Sequence, residues 1–85
     1  MIVRVLYFAG LREHVGRSAE ELDLPAGVST LAGLRSHLVA RGGAWQSALG
    51  ESRLVRMAVN QQMAQAATAI GSGDEVAFFP PVTGG

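Results

Sequence analysis

Apolar and polar residues alternate along the first segment of the chain. In residues 2–9, IVRVLYFA, Val3, Val5 and Tyr7 fall on one side and Arg4, Leu6 and Phe8 on the other. This period of two predicts a β-strand with one buried face and a second face that is also largely apolar. A polar interval from Arg12 to Arg17 has room for a short helical turn, and residues 18–24, SAEELDL, read as a second strand. Pro25, Ala26 and Gly27 mark a turn. The period then changes. Leu31, Leu34 and Leu38 stand at i, i+3 and i+7, which predicts the main helix, capped by Ser29 or Thr30 and stopped by Gly42 and Gly43. Gly33 inside that helix costs about 1 kcal/mol relative to alanine, which implies close packing against the sheet there.

Trp45 and Leu49 belong to a short irregular or helical connection. Alternation returns at residues 54–59, where Val55, Met57 and Val59 oppose Leu54, Arg56 and Ala58. Asn60 and Gln61 begin a turn, a brief strand follows around Met63, and Gly71, Ser72, Gly73 and Asp74 form a tight turn into the last strand, EVAFF at 75–79. Pro80 and Pro81 end it, because proline donates nothing to a ladder. The order is strand, strand, helix, strand, short strand, strand, an α+β class with one main helix packed on a mixed sheet. The first and last strands are the most apolar, so they belong side by side at the centre, and parallel, since a helical crossover separates them. This is the arrangement of the ubiquitin-like β-grasp fold.

One helix covers only one face of such a sheet. Arg4, Glu75 and Arg56 mark the outward side of their strands, which carries Leu6 and Phe8, Ala77 and Phe79, and Leu54 and Ala58 outward with them. Exposed, contiguous apolar surface on a small protein marks an interface. The alternative is that loops or the short strand near Met63 cover Phe8 and Phe79.

Composition narrows the function classes. At 85 residues the chain makes one domain, and a domain of this size buries only about 60–65% of its unfolded surface. Charged residues are 16% of the chain and the formal net charge is zero, with seven arginines spread from Arg4 to Arg56 and no lysine. That argues against nucleic acid, which needs clustered positive charge. The absence of cysteine removes disulfides, thiolate metal sites and thiol nucleophiles, and two histidines, His14 and His37, are too few for a metal site of their own. Arg4 interrupts the N-terminal apolar run and no basic segment precedes it, so neither a signal peptide nor a membrane span is expected, and the reading is cytoplasmic. Arg12, Glu13 and His14 resemble an acid–base cluster only superficially, since no nucleophile accompanies them and a solvated loop explains them. His37 reads as a surface or edge residue, and the Gly71–Gly73 turn lacks the Lys and Ser/Thr of a phosphate loop.

After Phe79 the chain reads PPVTGG, so residues 1–80 are expected to form the domain and residues 81–85 a flexible tail. Pro80 and Pro81 stiffen the exit, Val82 and Thr83 favour extension, and Gly84 and Gly85 are slim enough to thread a narrow channel. With glycine at 11 of 85 positions, a terminal Gly-Gly alone says little; its setting on a rigid spacer leaving a central strand says more. A carboxylate is a poor electrophile. Conversion to an acyl-adenylate supplies a leaving group, and a sulfur donor can displace it to leave a thiocarboxylate.

The stretch DEVAFFPPVTGG, residues 74–85, resembles the C-terminus of the small, sulfur-carrying subunits of molybdopterin synthase. FAGLRE at 8–13, the helix, and AVNQ at 58–61 resemble the same family in the same order. The resemblance implies a β-grasp fold with no intrinsic cofactor or metal. It implies that an adenylyltransferase related to the ubiquitin-activating enzymes uses ATP to adenylate Gly85, and that a sulfurtransferase then supplies sulfur. The tail, Gly84 and Gly85 foremost, would enter the large subunit of the synthase and give sulfur to a cyclic pyranopterin precursor, two rounds building the dithiolene. By position Phe8, Met63 and Phe79 match the family's apolar contact surface, with Pro80, Pro81, Val82 and Thr83 as the spacer; Met63 rests on the resemblance. Rival readings are a protein modifier joined to lysines through Gly85, a thiamine-pathway sulfur carrier, which FFPPVTGG disfavours, and a β-grasp binding module that needs no free terminus.

Overall fold

The alternating segments become strands of one sheet. A computed structural model describes residues 1–81 and contains β1 (Ile2–Tyr7), α1 (Ala9–Val15), β2 (Ala19–Asp23), α2 (Leu31–Val39), α3 (Gly43–Leu49), β3 (Arg56–Val59), β4 (Gln62–Ala64) and β5 (Glu75–Phe79). The sheet order is β2-β1-β5-β3-β4, with β1 and β5 parallel at the centre and the other pairs antiparallel. This is the expected β-grasp arrangement, and it carries three helices rather than one. Val82, Thr83, Gly84 and Gly85, expected to belong to the tail, lie outside the described residues.

The inner face is the core. Val3, Val5 and Tyr7 of β1 and Val76 and Phe78 of β5 are buried beneath Leu31, Leu34 and Leu38 of α2. Tyr7 and Phe78 stack with ring centroids 6.3 Å apart. Thr30, not Ser29, caps α2: its Oγ1 accepts from the Gly33 N–H at 3.2 Å, while the Ser29 carbonyl accepts from Ile70 N–H.

Three readings need correction. The Arg12–Arg17 interval lies within and beyond a full helix, α1, because Leu11 and Val15, spaced i, i+4, bury one stripe of an otherwise polar segment. Of the two forms expected for the Trp45–Leu49 connection the helical one is found, anchored by buried Ala48 and Leu49. Gly33 packs close to a loop and not to the sheet: a Cβ there would meet Val28 Cγ1 at 3.4 Å and Thr30 Oγ1 at 3.5 Å. Finally, β3 starts at Arg56, so Leu54 belongs to the preceding loop and is not part of the outer sheet face. Gly42 and Gly43 do follow α2, and their positive φ of 75° and 52° turns the chain into α3.

Candidate functional site: the open sheet face and the root of the tail

All three helices pack on one side, so the other side of the sheet is left open. Register aligns a row of apolar residues across it: Leu6 opposite Ala77, Ala77 opposite Ala58, and Ala58 opposite Met63. Towards the strand starts, Arg4 stands opposite Glu75 and makes a charged boundary. At the tail end, Phe8 extends the ladder by donating its N–H to the Phe78 carbonyl at 3.1 Å. Ala9 then takes a left-handed φ of 52° and turns the chain straight into α1, which leaves Phe8 standing on the open face.

Phe8 and Phe79 meet edge to face with centroids 6.5 Å apart, an arrangement aromatic quadrupoles favour. Together with Leu6, Ala58, Met63 and Ala77 they line a shallow concavity of about 400 Å³. Phe8 is 46% and Met63 58% exposed, so neither loops nor β4 cover the face. Met63, placed on this face in the sequence by resemblance, is held there by the β3–β4 pairing. A two-residue turn at Asn60–Gln61, both with positive φ, forces residue 58 to pair with residue 63. Pro80 and Pro81 are half-buried and continue directly from this face.

The other candidates do not assemble into a site. Arg12, Glu13 and His14 are exposed on α1 and make no side-chain hydrogen bond to one another among the described residues. His37 is half-buried on α2. Among the described residues no three of His, Asp and Glu come together as metal ligands would, and no helix is long and apolar enough to cross a membrane.

Sequence reasoning missed the polar cluster behind β1. Tyr7 Oη donates to Glu20 at 2.8 Å, Arg41 donates to both Glu20 oxygens at 2.9 Å, and Arg17 donates to it at 3.2 Å. Trp45 Nε1 donates to Tyr7 Oη at 3.2 Å, and the Arg17 and Arg41 guanidinium groups lie 5.2 and 4.8 Å from the Trp45 ring centroid. Burial pushes the Tyr7 hydroxyl up to about 12, with the Glu20 charge and hydrogen bond adding to the rise and the Trp45 bond opposing it. Burial also pushes Glu20 up, but hydrogen bonds from Arg41 and Tyr7 and the two arginine charges outweigh it, and the carboxyl ends below its ordinary value. The cluster ties β1, β2 and the α2–α3 corner together. Its members are up to 38 residues apart, so no local motif announces it.

The ThiS family profile matches residues 5–85. The chain belongs to the ThiS family. Within it, this member is 44% identical over 86 residues to the molybdopterin synthase sulfur carrier subunit of Escherichia coli (strain K12), covering 99% of this chain and 100% of the relative. It is 40% identical over 84 residues to the subunit of the same description from Haemophilus influenzae, again covering 99% and 100%. Its fold is similar to the crystal structure of SAMP1 from Haloferax volcanii, with a TM-score of 0.78, 28% identity and full coverage of both chains. ThiS membership thus agrees with the strand order and with the parallel β1–β5 pair.

Proposed function

We propose that this chain is the sulfur-carrier subunit of molybdopterin synthase, acting in molybdenum cofactor biosynthesis through a thiocarboxylate on Gly85. The observation that carries the reading is the end-to-end identity with sulfur carrier subunits, 44% across 100% of the Escherichia coli protein. The geometry supports it. The tail leaves a central strand beside an apolar face large enough to be held, so the folded body is a handle for a slender reactive end.

In this reading an adenylyltransferase converts the Gly85 carboxylate to an acyl-adenylate at the expense of ATP. A persulfide sulfur on the sulfurtransferase displaces AMP to form an acyl disulfide, a thiol reductant cleaves its S–S bond, and the thiocarboxylate so released is a soft nucleophile. The large synthase subunit then takes the tail into its active site while Leu6, Phe8, Met63, Ala77 and Phe79 dock on it. Pro80 and Pro81 fix the direction of the spacer, Val82 and Thr83 extend it, and Gly84 lets the backbone pass a narrow channel. No resident metal or cofactor is required on this chain, because the pyranopterin and the nucleotide belong to the partners' reactions.

Reconstitution with the large subunit, adenylyltransferase, ATP, sulfur donor and a cyclic pyranopterin precursor tests the proposal. Wild-type chain is expected to yield molybdopterin, and a chain lacking Gly85 to yield none. Full activity without Gly85 would overturn it. A second reading, conjugation to lysines of other proteins, draws on the fold shared with SAMP1, a small archaeal modifier protein. It uses the same activated terminus, and adducts of this chain on other proteins would be its signature.

A further inference from the structure

A second concave surface meets the root of the tail on the helix side of the sheet. Pro80 forms one wall; Leu11 and His14 of α1, Ala48 of α3, and Arg53 and Leu54 of the α3–β3 loop form the others, enclosing about 370 Å³. Phe79 lines the open face and Pro80 lines this groove, so consecutive residues at the root belong to two different surfaces.

The loop that carries Arg53 and Leu54 is held in place from below. Arg35 on α2 donates Nε to the Leu49 carbonyl at 2.6 Å and Nη2 to the Gly50 and Arg53 carbonyls at 2.9 and 2.8 Å. The Arg53 N–H donates to the Gly50 carbonyl at 2.9 Å. With the loop backbone fixed in this way, binding has only the side chains left to order. What it presents is an apolar side chain and a cation. Leu54 is 81% exposed, the most exposed large hydrophobic residue among those described. The exposed Arg53 guanidinium has no ion-pair partner among the described residues, and His14 is the other titratable group lining the groove.

We propose that this groove is a second docking site for the large synthase subunit, which grips the tail root from both sides. The fitting partner element brings an apolar side chain against Leu11, Ala48 and Leu54, and a carboxylate onto Arg53. The unpaired Arg53 charge, the held loop and above all continuity with the open face through Phe79 and Pro80 carry the assignment, which rests on the sulfur-carrier reading.

The test is calorimetric titration of the full-length chain into the large subunit at low and high salt, with Arg53→Glu, Arg53→Lys, Leu54→Asp and Phe79→Arg. Arg53→Glu is expected to weaken binding roughly tenfold at low salt, and by less at high salt, where screening has already weakened the wild type. Arg53→Lys should recover most of the loss, and Leu54→Asp should weaken binding about tenfold at either salt level. Melting curves guard against misfolding, and both groove residues are exposed. Wild-type affinity for Arg53→Glu and Leu54→Asp, with Phe79→Arg weakened, overturns the groove and leaves the sulfur-carrier reading standing. Wild-type affinity for all three variants overturns the docking geometry of both. Loss towards the adenylyltransferase alone also overturns the proposal, because it gives the groove to a different partner.

Discussion

Phe79 stands between two environments, with its ring against Phe8 and its chain leading into Pro80. Placing a charge there leaves the buried inner face untouched, since Phe78 and not Phe79 belongs to the core. Phe79→Arg and Met63→Arg are each expected to keep the melting temperature within a few degrees and to weaken large-subunit binding at least tenfold, roughly the loss of a central apolar anchor. Titration alongside a circular-dichroism melt checks both halves. Tyr7 and Glu20 answer to pH instead. The folded Tyr7 hydroxyl keeps its proton to about pH 12, whereas in the unfolded chain it loses it near pH 10. Its contribution is therefore complete below pH 10 and falls away between pH 10 and 12, by roughly 2–3 kcal/mol at most. Urea unfolding at successive alkaline pH values should show that loss in the wild type and little of it in Tyr7→Phe. Glu20 has the opposite sense: its lowered folded pKa contributes stability above the ordinary carboxylate range, lost as pH falls through the folded value. The stability gap between wild type and Glu20→Gln should close in acid.

At the scale of elements, two substitutions probe the local rules. The β3–β4 turn places Gln61 at φ 69°, a left-handed conformation that glycine adopts without strain. Gln61→Gly is expected to raise stability by about 0.5–1 kcal/mol. Thr30→Ala removes the α2 cap and is expected to cost about 1 kcal/mol. Chemical denaturation measures both. The elements also show what the sequence displayed and what it hid. β5 was legible to the residue, because EVAFF is bounded by a Gly-rich turn and two prolines. The α2 stripe of Leu31, Leu34 and Leu38 was equally plain. The short helix α1 was harder to see, since two apolar residues among polar ones make a weak period, and only the sheet beneath them decides the conformation. The start of β3 was hidden too. The three carbonyls that Arg35 holds keep Leu54 in a loop, and nothing in the alternation of residues 54–59 reveals a side chain more than ten positions upstream.

For the molecule as a whole, the open face was readable from polarity alone, because Arg4, Arg56 and Glu75 identify the outward side of three neighbouring strands. The groove behind Pro80 was not, because it joins α1, α3 and a loop that meet only in the folded chain. The two surfaces flank one exit, and the chain end beyond it is the proposed reactive group. Intact-mass analysis after incubation with adenylyltransferase, ATP and a sulfur donor is the most direct measurement. A mass gain matching the exchange of one oxygen for sulfur is expected, localised by fragmentation to Gly85. An unchanged mass, under conditions where the same enzymes load a related carrier, would contradict it.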